Sequence, residues 1–403
     1  MTQIVLIGPP LISIPPKSGG AIEKYIFELG TYLSKLNFKI IIFTIKDINN
    51  NKVEVLNENL RIVKVKTFQI PILRGIIYNF KVFLRLLQLK EKKIIWTNGI
   101  SQILIIMIIK LFSKNIATIF TTHNIRPWFK TGTHSKVRDI IDLFLGIQCL
   151  RYSDFIITLT NRMKNYLNNR FLKENKFEVI PIGISKNILK KFPLKKYPEE
   201  QAKKLFQIIY IGQINKLKGL DILIESIHQI NNRNLNYKLF LKIIGQLSND
   251  IASDMHKKRK YLTKIRNLIK NLQLNNFVEF KGKLESSKVF NEIYDSDLYV
   301  LPSMGETFNL SALESLAIGT PIVITNSTGI SEYLTHGKNC QIILKRNSIS
   351  ITNAIYSLLK NLSLTNQIKI NSRKIVSEKF LWDNLIKKYE KFIRNILEKH
   401  KMK

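Results

Sequence analysis

The chain is short of cysteine and of negative charge, and it contains no long apolar run. Its two cysteines, Cys149 and Cys340, lie far apart, match no metal-binding or redox spacing, and read as reduced thiols. The longest uninterrupted apolar run, residues 103–109, is closed by Lys110, well below the roughly 20 residues a membrane-spanning helix needs. The opening residues, MTQIVLIGPP, pass straight into a strand-like run without a basic segment or cleavage site, so no secretory signal is expected and the chain is placed in the cytoplasm. Acidic residues are outnumbered, 29 Asp and Glu against 64 Lys and Arg, a formal net charge of +35. Two explanations compete: attraction to a polyanion such as nucleic acid or an acidic membrane, and compositional drift in a chain rich in Lys, Ile and Asn. Residues 51–100 hold ten Lys and Arg against three Asp and Glu, and residues 351–403 hold twelve against four. Residues 301–350 hold three against three, so the surplus lies elsewhere. No helix-turn-helix signature, zinc spacing or aromatic RNA motif accompanies it, and no specific nucleic-acid partner is expected.

What is present is the makings of a packed α/β protein. Hydrophobic residues make up 45% and aromatics 10%, and 403 residues suit two domains of about 150–200 residues each. Apolar or β-branched runs at 3–7, 39–44, 60–66, 93–96, 117–121 and 155–158 read as buried strands, and a Gly/Pro-rich loop at 8–20 precedes an amphipathic helix over 21–35. The alternation restarts at 207–211, 238–244, 278–280, 298–301 and 321–325. Strands alternating with helices argue for parallel sheets covered on both faces. The expected division is a first domain over 1–184, a polar Lys- and Pro-containing linker over 185–205, a second domain over 206–378, and a C-terminal segment over 379–403.

One stretch carries the chemistry: SMGETFNLSALESLAIGTP, residues 303–321, directly after the 298–301 strand. Glu306 and Glu314 stand eight positions apart around a helix start. Between them lie Thr307, Phe308, Asn309 and the open backbone N–H groups of the helix N-terminus, an anion site. Carboxylates would repel a bare phosphate. They suit a ligand with hydroxyls at both ends and a diphosphate between, as in a nucleotide sugar. Ser311 could instead draw Glu314 into a capping box. Asp295 and Asp297 imitate a metal-binding Asp-x-Asp, but they precede the strand, at the wrong end for a site at strand carboxyl ends, and read as turn and cap residues.

Several segments, in order, resemble the family 4 glycosyltransferases. These are Gly19 and Gly20 followed by Glu23; His123 with Asn124; VIPIGI at 179–184; IYIGQINKLKGLD at 209–221; Glu306 and Glu314 as an E-x7-E pair; Gly329 with Glu332; and the aromatic start of the last helices at 380–382. The resemblance implies the GT-B fold: two doubly wound Rossmann-like domains facing across a cleft, the first on the acceptor side, the second binding the nucleotide sugar, with C-terminal helices crossing back to the first. It implies a retaining hexosyltransferase that takes a sugar from a UDP or GDP donor, with no cofactor and no metal. Carried onto this chain, Glu314 would bind the ribose and Glu306 the donor sugar. Lys218 and the amides near Asn309 and Leu310 would hold the diphosphate, with Gly19 and Gly20 approaching it closely and His123 reaching the donor sugar. The catalytic set is then His123, Glu306 and Lys218, and the donor-binding set adds Gln213, Thr307 and Phe308. No residue stands out as a nucleophile for double displacement, and the resemblance favours front-face attack by the acceptor hydroxyl. The chain departs from the family at Gln213, where an arginine is usual, at Ile182, where the usual turn has asparagine, and in Glu-Thr-Phe-Asn where Glu-Gly-Phe-Gly is common.

The acceptor implied is a lipid-linked or cell-surface glycan, with an anionic membrane surface as a further partner. Residues 74–93 place Ile76, Ile77, Phe80, Phe83, Leu84 and Leu87 at helical spacing with Arg and Lys between. That spacing fits an interfacial helix and equally a core-facing one with a solvated basic face; the core-facing reading is preferred. Alternatives keep the fold and change the reaction, to a nucleotide-sugar epimerase or a phosphorylase, or abandon it for a basic nucleic-acid binder.

Overall fold

The computed structural model describes residues 2–46, 53–67, 71–89, 92–112, 116–123, 128, 136–172, 176–195, 205–233, 237–245 and 255–400; Asn124 and residues 196–204 lie outside these. The chain forms two compact units: residues 1–130, 136–183 and 382–403, and residues 131–135 with 184–381.

The first unit is built on strands β1 (Gln3–Ile7), β2 (Lys39–Ile45), β3 (Val53–Asn57), β4 (Leu60–Val65), β5 (Lys93–Thr97), β6 (Ile116–Thr121), β7 (Phe155–Thr158) and β8 (Phe177–Val179). They form one sheet in the order β3-β4-β2-β1-β5-β6-β7-β8, parallel except for the antiparallel edge strand β3. Strands β5 and β6 are buried throughout, which explains their nearly unbroken apolar sequences. The exception, Lys93, donates to the carbonyls of Leu86 (2.8 Å) and Leu89 (2.6 Å) and so satisfies the open end of the preceding helix. Burial lowers its pKa. The crossover helices are α1 (Ala21–Ser34), α2 (Pro71–Gln88), α3 (Ile103–Phe112), α4 (Lys136–Tyr152) and α5 (Asn161–Leu167). The strand order reverses beside β1, so right-handed crossovers put α1 on one face and α2, α3 and α4 side by side on the other. The C-terminal helix (Trp382–Lys399) packs on α1: the Tyr25 and Tyr389 hydroxyls meet at 3.1 Å, and Trp382 Nε1 donates to Glu28 at 2.6 Å.

Helix α2 does not sit as its sequence suggests. Its buried seam is Tyr78, Val82 and Leu86, while Ile76, Phe80, Leu84 and Leu87 are exposed and Ile77 and Phe83 half-buried. The helix is apolar over more than half its circumference, so spacing alone could not choose the inner face. Polar anchors choose it: Tyr78 donates to the Phe43 carbonyl (2.9 Å) and Asn79 to the Ser101 carbonyl (2.8 Å). The core-facing reading of the Ile76–Leu87 stripe is therefore wrong.

The second unit is a six-stranded parallel sheet of β9 (Leu205–Ile211), β10 (Lys238–Ile244), β11 (Val278–Gly282), β12 (Leu298–Leu301), β13 (Ile322–Thr325) and β14 (Gln341–Ile343), in the order β11-β10-β9-β12-β13-β14. Its helices are α6 (Lys186–Lys191), α7 (Leu220–Asn231), α8 (Met255–Asn271), α9 (Ser286–Tyr294), α10 (Leu310–Ile318), α11 (Ser348–Lys360) and α12 (Leu362–Lys379). Helix α6 belongs to this unit: Arg373 of α12 donates to the carbonyls of Leu189 and Phe192. Here the strand order reverses between β9 and β12, and the loops leaving those two strands meet at the switch point where such sheets bind ligands.

Candidate active site

The loop after β9 turns on Gly219, whose φ of +68° suits glycine. A Cβ there would stand 2.3 Å from the Pro302 carbonyl oxygen, so only glycine lets this loop touch the one leaving β12. Asn215 accepts from the Lys218 N–H (3.3 Å), and the Met304 N–H reaches the Leu217 carbonyl (2.7 Å). These ties bring the Lys218 ammonium onto Glu306 Oε1 as a half-buried ion pair. Ser303 donates to the same carboxylate oxygen at 3.0 Å. Gln213 is exposed, its side-chain oxygen accepting from Asn215 at 3.3 Å. Its carbonyl accepts from Tyr210, whose hydroxyl is held far above its usual pKa by burial.

The segment from Glu306 to Asn309 is stitched to the loop after β13. Gly329 N–H donates to the Glu306 carbonyl (3.0 Å), and Ile330 N–H to the Phe308 carbonyl (2.9 Å). The approach is so close that a Cβ on Gly329 would lie 1.9 Å from the Thr307 carbonyl oxygen. Phe308 turns its ring into the interior against Phe380 and Tyr333, which leaves its backbone as the part that could meet a ligand. Asn309, at φ +92°, caps α10 through the Ala312 N–H (2.8 Å) and is itself fixed by Ser311 (2.9 Å). Its cap position also disposes of a Ser311–Glu314 capping box, because the residue three beyond the cap is Ala312. The N–H groups of Leu310 and Ser311 have no protein partner among the described residues. Thr307 is half-buried and Glu314 buried on α10. This unit therefore gathers Lys218, Glu306, Thr307, Asn309 and Leu310 on two touching loops and a helix start, with Glu314 on that helix. Such a set can accept bonds from hydroxyls and donate bonds to an anion.

The first unit holds the remaining expected residues at the carboxyl ends of β1 and β6. Gly19 and Gly20, at φ +63° and +74°, form the turn into α1, and Gly20 is its N-cap. A Cβ on Gly20 would lie 2.9 Å from Glu23 Oε2. Burial pushes the Glu23 carboxyl up to about 7, opposed by a bond from its own backbone N–H. His123 Nε2 lies 2.9 Å from Asn98 Oδ1. The Asn98 amide nitrogen faces the Ile7 carbonyl (3.3 Å), so its oxygen accepts and His123 carries its proton on Nε2. Burial pushes the imidazole down to about 3, so it is uncharged at neutral pH. The ring edge of Tyr25 packs on it, the centroids 4.7 Å apart.

Sequence reasoning missed Ser303 and Asn98. Nothing in their spacing marks them; a polar residue just past a strand end is the only signal. Asp295 and Asp297 are structural: Asp297 accepts from the Gln207 N–H (2.8 Å) at the amino end of β12, and Asp295 pairs with Lys195 (3.1 Å). Among the described residues no cluster of His, Cys, Asp or Glu could hold a metal.

Two Rossmann-like sheets, each with a reversal of strand order, are the architecture of the GT-B class of sugar-transferring enzymes. Residues 19–187 match the family model described as Glycosyltransferase Family 4, and residues 193–375 match that described as Glycosyl transferases group 1. The chain belongs to glycosyltransferase family 4 and is a glycosyltransferase of GT-B fold. It is 24% identical to an uncharacterised glycosyltransferase of Methanocaldococcus jannaschii, over 98% of this chain and 100% of that one. Sucrose-phosphate synthase from Thermosynechococcus elongatus superposes with a TM-score of 0.82 at 20% identity, covering 99% of this chain and 100% of the other. Anabaena Alr3699/HepE, solved in complex with UDP-glucose, superposes with a TM-score of 0.73 at 14% identity, covering 98% and 99%.

Proposed function

We propose that this enzyme moves a hexose, with retention of anomeric configuration, from a UDP or GDP sugar to a hydroxyl of a lipid-linked or cell-surface glycan. The observation that carries the reading is the joining of Lys218, Glu306, Ser303 and the open Leu310 and Ser311 amides at the β9/β12 switch point. Glu314 accepts from the ribose hydroxyls and Glu306 from the donor-sugar hydroxyls. Lys218 and the helix amides hold the diphosphate and take up the charge that grows as it leaves. Stabilisation of this type is worth about 10²–10³ in rate per donor group. The bond from the anomeric carbon to the phosphate oxygen breaks, the acceptor oxygen bonds on the same face, and the acceptor proton passes to the departing phosphate. In the first unit, His123, uncharged with its proton on Nε2, and the Gly19–Gly20 turn stand at the carboxyl ends of β6 and β1, where a parallel sheet meets its ligands. The bound UDP-glucose of Alr3699/HepE supports a nucleotide-sugar donor for a chain of this fold.

The test is binding and slow hydrolysis of a panel of UDP and GDP sugars by the wild type, Glu306→Ala and Glu314→Ala. One donor is expected to bind and hydrolyse, with both substitutions suppressing it. Hydrolysis untouched by either substitution would remove the carboxylate pair from the mechanism.

A further inference from the structure

The second unit holds a cavity of about 350 Å³ at the end of its sheet opposite the donor loops. The cavity lies between the last turns of α7 and α8, the first residue of β10 and the turn that leads into β11. Strand β10 has seven residues, so about 20 Å separate this cavity from the carboxyl ends where the donor loops begin. The volume falls within the range of about 300–1,000 Å³ usual for small-molecule sites. Such sites are mostly apolar, whereas this wall is rich in amides.

Two helix ends build the wall. Asn231, at the end of α7, is committed to the fold: its amide nitrogen donates to the Leu239 carbonyl (3.1 Å) and its oxygen accepts from the Leu239 N–H (2.7 Å). Lys238 is committed too, its ammonium donating to the Asn231 carbonyl. Asn232 Nδ2 lies 2.9 Å from His228 Nε2, which sets these two side chains together. The other wall comes from α8, which ends in a Schellman turn with the Leu274 N–H on the Ile269 carbonyl at 2.9 Å. The turn residue is Gln273, at φ +55°, a left-handed position that glycine usually fills. A strained residue that keeps its side chain points to a use for that side chain. Both Gln273 and Asn271 line the cavity, and among the described residues neither side chain has a partner.

We propose that this cavity binds a neutral sugar, one unit of a glycan chain. Charge and polarity exclude the alternatives. The last carbonyls of two helices carry about half a negative charge each, and Lys238 already serves one of them, so an anion is disfavoured. Among the described residues the wall has no Asp or Glu, so a cation finds no opposite charge. An apolar ligand would bury amides without partners. A pyranose has hydroxyls that both donate and accept, matching amides and an imidazole, and a C–H face that suits Leu272 and Phe277. Calling the sugar part of a glycan rests on the transferase reading above; the preference for a neutral polyhydroxyl ligand does not.

The test is saturation-transfer NMR of the full chain with methyl glycosides of glucose, galactose, mannose, N-acetylglucosamine and rhamnose, and with maltose and cellobiose. Each is taken to about 50 mM, since a small neutral ligand is expected to bind in the millimolar range. Uridine and inorganic phosphate are the competing probes. At least one saccharide is expected to bind, and Glu306→Ala should leave that binding unchanged. Gln273→Gly and Asn271→Ala should each weaken it at least about fivefold, the worth of one hydrogen bond. Gln273→Gly should not lower the melting temperature, because glycine takes the left-handed turn without strain, so its lost binding cannot be lost folding. Donor hydrolysis should be unchanged in both variants. Failed hydrolysis in the wild type beside intact saccharide binding would count against the transferase reading and leave this site standing. The proposal is overturned if no saccharide binds, if binding survives both cavity substitutions, or if Glu306→Ala abolishes it, which would put the sugar in the donor loops. It is equally overturned if uridine or phosphate, and no saccharide, responds to Gln273→Gly.

Discussion

Gly329→Ala tests whether the Glu306–Asn309 segment is positioned by the loop beside it. Gly329 is not in the left-handed region, so alanine meets no backbone strain there, only contact. The added Cβ would stand 1.9 Å from the Thr307 oxygen, 2.5 Å from its carbonyl carbon and 3.0 Å from Phe308 Cα. Ordinary contact begins near 3.4 Å, so the segment must retreat by about 1.5 Å. All three atoms are backbone, and no side chain can swing aside. Overpacking of this kind costs about 1–3 kcal/mol of stability. A shift of about 1 Å in a positioned group is enough to cost about 10²-fold in rate. Gly337→Ala is the control: its φ is +73°, but no atom lies within 4 Å of the added Cβ. It should cost about 1–2 kcal/mol from backbone strain and leave kcat/KM within about threefold. The assay is kcat/KM for donor hydrolysis beside urea unfolding for both variants. If Gly329→Ala keeps kcat/KM within about threefold of wild type, or if both variants lose activity only in step with stability, the positioning argument fails.

Burial that raises Glu23 from 4.5 to about 7 means the folded state holds its proton longer than the unfolded one; the resulting stability is full below about pH 4.5 and lost as pH rises through about 7, by about 3 kcal/mol. Glu23→Gln should abolish that slope in denaturation curves across this window, and an unchanged slope would exclude Glu23 as its source. Asn98→Asp places a carboxylate on the His123 Nε2–H and should raise the imidazole pKa, adding an inflection to the pH–rate profile that the wild type lacks; an unaltered profile would deny Asn98 a role in setting the His123 proton. Lys218→Ala should lower kcat for hydrolysis by about 10²–10³ while leaving the unit folded; a change confined to KM would assign Lys218 to binding alone.

Much of the fold was legible because parallel strands buried on both faces announce themselves as apolar runs. The strands at 3–7, 155–158, 238–244 and 298–301 coincide with β1, β7, β10 and β12. Strand β3 escaped notice because it is an exposed edge with no inner face, and β14 because three residues carry no periodicity. The E-x7-E segment was legible as a loop and capped helix, since Asn309 and the strand before it are local signals. What could not be read is which side chains the β9 and β12 loops bring into contact. The Lys218–Glu306 pair spans 88 residues and depends on Gly219 yielding space to Pro302. The inner face of α2 was illegible for the same reason: it was settled by Phe43 and Ser101, remote in sequence.

The Lys218–Glu306 pair also bears on which ligand the second unit prefers. Gln213 is uncharged, and residues 301–350 carry three cations against three acids, so beyond Lys216 and Lys218 of the β9 loop the donor loops have little positive charge to spare. The amides at the start of α10 supply roughly half a charge in its place. A diphosphate that draws Lys218 away leaves the Glu306 carboxylate, half-buried, with only Ser303 of its present side-chain partners. A free nucleoside diphosphate does nothing to offset that loss. A nucleotide sugar does, because its sugar hydroxyls donate to Glu306 as Lys218 departs. The hypothesis predicts that the donor binds more tightly than the free nucleoside diphosphate, by about tenfold for one charge-assisted bond worth about 1.5 kcal/mol. In Glu306→Gln the neutral amide releases Lys218 without penalty, so free diphosphate should bind more tightly and the ratio should fall towards one. Calorimetric titration of both ligands into both proteins measures it. A ratio that Glu306→Gln leaves unchanged would mean the ion pair is structural and takes no part in choosing the donor.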